Sequence, residues 1–517
     1  SRKDFFDVYF SLLQLSTEEL HFERMISSIY VFGFVFCLVC YLFRWKSRPK
    51  NFPPGPLGIP MLGVAPFAGS KLENYLASFY KKYGGVMSFR LGPKDWVVLN
   101  DLEAITQAFT KQGESFSGRP KSVVFDQLTQ GCGIVFANGD RWQHQRRFVL
   151  TALKRWVQFA LGMGKRTMDA IINEETNRFI ASVQLAGGTV SILDEIRRLQ
   201  ANNTCNFLSG KHFDYKDKRL QAIIDHRPTG TIVVFLPFLR FIPPFKQKFQ
   251  KMVDSTEQVI DIISQIAENH KQSLDENNLC DFIDIFLSDM KKQKGDFFTV
   301  ILAPAVLQKL QLCHLIRDLF VGGIDTTTAA LGWGIVCLLN FPECQDKIHQ
   351  EIDQIIGKLN YAVPNMSHQE KMPYLRAFIQ EVHRFQTIAG LNIPHCVTED
   401  CILYGYRIPK GTPVMSNIWF VHNDPAHWQE PQKFRPERHL DGDGKFIPSN
   451  RVIPFSVGHR SCLGVQLAKA ELFLFYAGVL KHHEFQVDPN FGLPDWSRDD
   501  GGTLKTPKDF TVCIKER

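Results

Sequence analysis

One cysteine of the twelve stands in a setting that could do chemistry. The stretch Phe455-Ser-Val-Gly458-His-Arg460-Ser-Cys462-Leu-Gly464 opens an apolar run with helical spacing. A sulfur at a helix start is favoured as thiolate by the N-terminal dipole and its free N–H groups. Gly458 and Gly464 let the backbone come close to a flat ligand. Arg460 can neutralise an anion on that ligand. Those are the needs of a haem held by an axial cysteine thiolate. Two further groups of residues have chemical spacing. Glu381 and Arg384 stand at i, i+3, on one helix face, and can form a buried ion pair. Gly322-Gly323-Ile324-Asp325-Thr326-Thr327 sets an acid and two alcohols behind a pair of glycines. That window is either a glycine-weakened helix or an acid–alcohol pair able to move protons.

Helices must carry most of these residues. Apolar spacing predicts helices over 72–83, 140–160, 164–185, 254–271, 305–340, 342–357, 373–387 and 464–481. Short alternating runs predict strands near Val86–Leu91, Trp96–Asn100, Cys401–Tyr404 and Thr412–Ser416. No linker, repeat or low-complexity block interrupts the chain after residue 58, so residues 58–517 read as one large, mainly α domain with a small β part. No phosphate loop, dinucleotide fingerprint, H-E-x-x-H or G-x-S-x-G is present, which removes the usual handles for nucleotide binding and zinc or serine hydrolysis. The 517 residues are 44% hydrophobic and 22% charged, an ordinary globular balance. A net charge of +7 is too small to argue for nucleic acid and suits an acidic partner or an anionic membrane. The cysteines are scattered, as in a reducing compartment. Cys37 and Cys40 form a C-x-x-C inside an apolar run, where they read as lipid-facing residues.

Met25 to Phe43 is uncharged and, as a helix, would span about 28 Å, close to the hydrocarbon thickness. Arg44, Lys46, Arg48 and Lys50 follow it, while residues 1–24 are net acidic. The positive-inside rule then places 1–24 in the lumen, 25–43 across the membrane and the rest in the cytoplasm. Residues 44–57, with Pro53-Pro54-Gly55-Pro56, read as a basic, stiff hinge to the folded body. The sequons at Asn202 and Asn365 would then stay unmodified. Thr231 to Phe245 carries one charge, Arg240, and three prolines. It reads either as a buried loop or as an apolar patch dipping into the same membrane.

The cysteine segment carries all five fixed positions of F-x-x-G-x-R-x-C-x-G, and here the chain resembles the cytochrome P-450 superfamily. Other landmarks stand in that family's order. Glu381-Val-His-Arg384 matches E-x-x-R. Phe434-Arg-Pro436-Glu437-Arg438-His439 resembles P-E-R-F, with His439 in place of the usual phenylalanine. Gly322 to Thr327 resembles [AG]-G-x-[DE]-T-T, and Trp142-Gln-His-Gln-Arg146 resembles W-x-x-x-R. Phe116-Ser-Gly-Arg119, Asn138-Gly139-Asp-Arg-Trp142, Gly164-Lys165-Arg166 and the proline hinge look like the animal microsomal family 2. The resemblance implies an α-helical prism around a buried haem b, with an N-terminal transmembrane helix. It implies Cys462 as iron ligand, with Phe455 and Gly464 in the loop against the haem. It implies Arg119, Trp142, Arg146, His395 and Arg460 at the propionates. Glu381, Arg384 and Arg438 would be structural, Thr326 the hydrogen-bond partner of dioxygen and Asp325 a relay of protons. By position alone, Val124, Phe125, Ile324, Ala389, Leu391 and Leu504 would line a substrate pocket.

The resemblance further implies a monooxygenase on the cytoplasmic face of the endoplasmic reticulum. It would insert one oxygen of O2 into a fatty acid, sterol-like molecule or foreign compound. Electrons would come from NADPH through a separate flavoprotein reductase, with cytochrome b5 as a second donor. Arg141, Arg146 and Arg147 are candidates for the docking face of those acidic partners. A reductase-independent peroxide isomerase or dehydratase on the same scaffold stays open, as does a non-catalytic haem-binding membrane protein; retention of Asp325-Thr326 argues against the isomerase. Two places depart from the family's pattern: 155–161 looks like an insertion and 226–232 looks short.

Overall fold

Where apolar periodicity is strongest, the chain is helical. The computed structural model describes residues 45, 47–69, 71–162, 168–227, 232–292, 305–357, 362–499 and 504–517. Within them the helices of eight residues or more are α1 (Gly139–Gly162), α2 (Met168–Leu185), α3 (Ile192–Ser209), α4 (Lys218–Asp225), α5 (Phe245–Ser273), α6 (Phe282–Lys292), α7 (Ala305–Asn340), α8 (Pro342–Ile355), α9 (Pro373–Phe385) and α10 (Val465–His482). The predicted helix at 254–271 starts nine residues earlier, at Phe245. The one at 72–83 breaks into Leu72–Ala77 and Tyr80–Tyr83. The apparent insertion at 155–161 continues the α1 helix. Helices α3, α4 and α6 were not among those predicted.

The 36-residue α7 is the axis of the molecule. Its C-terminal half packs with α2, α3, α8, α9 and α10 in one apolar cluster. Its N-terminal half packs with α1, α3, α4, α5 and α6 in a second. Residues Gln308–Asn340 are long and apolar enough to cross a bilayer, but they are mostly buried inside this fold. The anchor predicted at 25–43 and the segment 1–24 lie outside the described residues.

The β part is small. β1 (Val86–Leu91) and β2 (Lys94–Leu99) form an antiparallel hairpin, with Phe89 opposite Trp96. After β3 (Thr189–Ser191), the sheet gains β4 (His395–Cys396), and past the hairpin β5 (Cys401–Leu403) and β6 (Tyr406–Ile408) comes β7 (Pro413–Ser416), giving the order β1-β2-β7-β4. Near the C-terminus run β8 (His483–Val487), β9 (Arg498–Asp499), β10 (Thr506–Pro507) and β11 (Thr511–Glu516), with β11 between β3 and β8. The parallel β2–β7 pairing brings residues 395–416 beside the N-terminal hairpin.

The proline segment is strapped to the body. Ser88 donates to Pro53 O at 2.5 Å and, through its N–H, to Pro54 O at 2.8 Å. A Cβ on Gly55 would lie 1.7 Å from Ser88 O, so only glycine fits. Arg48 bonds Gly55 O, Pro56 O and Asp95. Arg90 is paired with Asp95 and lies 4.2 Å over Trp45. Arg48, one of the basic charges that follow the uncharged stretch 25–43, is therefore tied to β2. The apolar stretch before α5 is divided: Val233 and Leu236 are buried, and Phe238, Phe241 and Ile242 are exposed. Asn202 is fully buried and exchanges hydrogen bonds with Phe213, so its sequon is closed to modification by packing alone.

Candidate active site

Cys462 lies two residues before Gly464, the N-cap of α10. The preceding loop is folded back on itself, with Cys462 N–H donating to Phe455 O at 3.0 Å. Ser456 and Gly458 have positive φ, 58° and 78°. The two glycines serve different purposes. A Cβ on Gly458 would lie 1.7 Å from Phe109 O, so this glycine lets the loop touch the protein's own backbone. A Cβ on Gly464 meets no protein atom within 4 Å, so this one leaves room beside the sulfur. Cys462 is accessible, yet its concavity is deep enough that burial raises the thiol pKa; the Gly464 N–H and the Arg146 charge oppose that rise. The Phe455 ring packs edge-on against His383, at 5.5 Å.

The structure brings the cationic candidates together. Arg460 lies 3.7 Å over the Trp142 ring and donates to Ser117 O at 2.7 Å and Ala137 O at 2.6 Å. Arg119 donates to Val135 O, Ile393 O and Pro394 O at 2.9–3.0 Å. Arg146 donates to Ser461 O at 2.9 Å. His395 stacks on Phe109 at 3.8 Å, with Nδ1 2.8 Å from Phe116 O. Among the described residues none of these cations is hydrogen-bonded or ion-paired to a carboxylate. Burial, then the neighbouring guanidinium groups, pull Arg119 down to about 9 and Arg460 to about 8, and hold His395 well below its ordinary value. His395 Nε2 is buried without a partner. Buried like charges with an orphaned nitrogen ask for an anion.

Glu381 is the opposite case. Its two oxygens accept from Arg384 Nε and Nη2 at 2.8 Å and from Arg438 Nε and Arg435 N–H at 3.0 Å, and His439 Nε2 lies 3.0 Å away. Burial pushes the carboxyl up, but the bonds from Arg384 and His439 and the charges of Arg384 and Arg438 win, taking it to about 2. Arg384 also donates to His422 O, Pro431 O and Lys433 O. His439, read above as a replaced packing residue, thus joins the ion-pair network.

Asp325 and Thr326 sit on α7, away from that cluster. Thr326 Oγ1 donates to Gly322 O at 2.5 Å, and a Cβ on Gly322 meets nothing within 4 Å. Asp325 Oδ1 is 3.9 Å from Arg197 Nε. Burial raises the Asp325 pKa, opposed by the charges of Arg227 and Arg197. The adjacent Thr327 donates to Glu471 on α10 at 3.4 Å, and burial pushes that carboxyl up to about 8. Tyr476 of α10 donates to Leu331 O at 2.9 Å, so α7 and α10 are held in fixed relation. Gly334 makes room for the Tyr476 hydroxyl.

The residues named for a substrate pocket have different local surroundings. Val124 is fully buried against Leu128, Val233, Phe249 and Met252. Phe125 stacks on Phe136 at 3.6 Å. Ile324 belongs to the packed cluster around α5. Ala389, Leu391 and Leu504 are half-buried, the latter two near the β sheets. Of the three arginines offered as a docking face, Arg146 is turned into the Cys462 loop and Arg141 donates to Gly131 O at 2.7 Å; Arg147 is exposed. His226, Arg197 and Glu471 stand outside every motif; of these only Glu471 carries a signal, as the one acid in the apolar α10.

A flat, dianionic ring gripped by a thiolate fits this donor set: an accessible sulfur, an unfilled glycine beside it, and a buried cluster of cations with one orphaned histidine nitrogen. Comparison with known proteins agrees. The family model for cytochrome P450 matches residues 53–514. The chain is 32% identical to cytochrome P450 2U1 of Rattus norvegicus, over 93% of this chain and 94% of the relative. It is 32% identical to cytochrome P450 2B2 of Rattus norvegicus, over 94% and 97%. It is 34% identical to cytochrome P450 2F5 of Gorilla gorilla gorilla, over 91% and 96%. A site built for a haem with cysteine-thiolate ligation and a match across nearly the whole chain lead to one conclusion: the chain belongs to the cytochrome P450 family and is a cytochrome P450 monooxygenase.

Proposed function

We propose that this monooxygenase binds haem b through Cys462 and inserts one atom of O2 into an apolar C–H or C=C bond of a lipophilic substrate. Electrons come from NADPH through a separate reductase, with cytochrome b5 as a second donor. The observation that carries this reading is the buried cluster of Arg119, His395 and Arg460, which lacks a carboxylate partner among the described residues. When bound, haem supplies dioxygen activation, with the thiolate donating electron density. The chain's own residues do the rest. Arg119, Trp142, Arg146, His395 and Arg460 hold the propionates. Phe455 and Gly464 shape the loop at the sulfur. Glu381, Arg384 and Arg438 brace the core. Asp325 and Thr326 bring protons to the open side of α7.

The protein works at the cytoplasmic face of the endoplasmic reticulum, held by the helix at 25–43. Support comes from two exposed apolar groups, Ile59, Met61 and Phe67 in one and Phe238, Phe241 and Ile242 in the other. The segments that carry them meet at Gly92, whose N–H bonds Leu62 O and whose α-carbon faces Leu236. Together they make an apolar face beside the strapped N-terminal segment.

A ferrous–CO spectrum tests the reading. The red-shifted Soret band of a thiolate-ligated haem is expected, and a spectrum without it overturns the assignment. Cys462→Ala should abolish that band; its persistence would remove Cys462 as the ligand.

A further inference from the structure

Beside Asp325, helices α4, α5 and α7 leave a cavity in which a water's centre has about 10 Å³ to move. That is the space one water needs. Its walls are apolar, with Ile223, Val259 and Ile324 among them, except for two groups: Asp325 and His226. His226 follows the last residue of α4 and is 4% exposed. Its Nδ1 lies 3.1 Å from Ser255 Oγ on α5, and Ser255 is half-exposed. Its Nε2 is buried without a partner. His226 and Asp325 line one space with room for a single water, and the ring has an orphaned nitrogen that such a water would satisfy.

We propose that His226 is a positioning residue that relays protons from the α5 surface, through a single water in this cavity, to the Asp325 carboxyl. The proposal rests on the reading of Asp325 as the proton source for the reaction. The proton balance is simple. The water gives a proton to Asp325 and takes one from Nε2. The ring takes one up at Nδ1 from the Ser255 hydroxyl, which solvent replenishes, and a flip of the ring returns that N–H to the cavity side before the next transfer. No electron moves. The Ser255 hydroxyl donates to Met252 O at 3.1 Å, so it must turn toward the ring for each transfer. The electrostatics suit a neutral carrier. Burial, then the charge of Arg317, pull His226 down to about 4, with Asp318 opposing. On the other wall Arg197 and Arg227 face Asp325. A neutral imidazole can pass a proton between its nitrogens without leaving a charge in the cavity. His226 also opens the stretch 226–232, where the sequence departs from the family's pattern, so no family motif supplies it.

The experiment compares His226→Gln, His226→Phe and Asp325→Asn in the full-length, haem-loaded protein with reductase and NADPH. All three are expected to keep the thiolate CO band. Both His226 variants should release peroxide at the expense of product by about threefold or more, less than the loss of a direct general acid. They should also raise the solvent isotope effect on product formation. A second readout needs no turnover: in ¹⁵N-histidine-labelled ferrous–CO protein, Asp325→Asn should shift the His226 ring resonances. If Asp325→Asn alters coupling while both His226 variants behave as the unmodified protein, the relay is overturned and Asp325 stands. If Asp325→Asn is itself without effect, the reading of Asp325 falls and the relay with it.

Discussion

Two polar regions beside α7, the Glu381 network and the roof around His226, are built on opposite rules. In the Glu381 network, polar groups are saturated. Glu381 has five donors or rings around its two oxygens, and Arg384 adds three backbone carbonyls. On the roof side, buried polar atoms stand open: His226 Nε2, both ring nitrogens of His314, and Arg197 Nε lack hydrogen-bond partners. A saturated network has one low-energy arrangement and holds its shape. An unsaturated one has spare valences for water, protons or a ligand. The Glu381 network holds the core in shape, and the roof is where open valences can take up water or protons.

The largest effect should follow from breaking the saturated side. Glu381→Gln leaves Arg384 as a buried charge without its carboxylate, a loss on the order of 3–5 kcal/mol. Protein that survives should melt far below the parent and fail to retain haem. Arg197→Gln, on the roof side, removes a cation bonded at 3.2 Å to the exposed Asp194 and lying 3.9 Å from Asp325. Its cost should stay near the 0–1 kcal/mol of a weak ion pair. Equal melting temperatures for the two variants would erase the contrast.

The same contrast explains what could be read in the sequence. Cys462, Arg460, Glu381 and Arg384 are legible because each is fixed in type and spacing by its partners. The strongly apolar helices α7 and α10 are legible by periodicity. Helix α3 is not, because Gln200, Asn202, Asn203 and Thr204 are buried and interrupt its apolar stripe. The β3–β11–β8 sheet escapes because its strands are short and come from distant parts of the chain. Gly458 was read correctly as a close approach but to the wrong neighbour, since nothing local announces Phe109 O. His226 could not be singled out at all: its role depends on a cavity made by three helices.

Acid should act in two stages. Burial holds His226, His314 and His383 down to about 4 and His422 to about 3. The folded values lie below the ordinary 6.5, so the unfolded chain binds protons first. Their contribution is complete above pH 6.5 and is lost as pH falls toward 4. Glu381, depressed to about 2, contributes fully above about 4.5, and its share is lost only below that. Urea midpoints should therefore decline from pH 6.5 downward, before Glu381 titrates, with Glu471 opposing the decline because its raised carboxyl binds a proton first in the fold. His314→Leu should flatten that first decline, because it removes a proton acceptor on the unsaturated side. A flat stability profile between pH 6.5 and 4.5 would show that these rings are not neutral in the fold.

The smallest effect should come from His439→Phe, which restores the residue usual in the family. Phenylalanine keeps the edge-on contact with Trp428, now 6.0 Å between ring centres, and gives up the 3.0 Å contact with Glu381 Oε2. That oxygen still accepts from Arg384 Nε, and Glu381 Oε1 keeps Arg384, Arg438 and the Arg435 N–H. The net cost should be about 1 kcal/mol, a melting shift of a few degrees at most. Its more telling signature is in acid. The His439 contact helps hold the Glu381 carboxyl low, so removing it moves that group's folded pKa back toward 4.5. The acid limb below pH 4.5 should then become shallower, with the CO band unchanged at neutral pH. An unaltered limb would mean that Arg384 and Arg438 already saturate the carboxylate and that His439 only fills space.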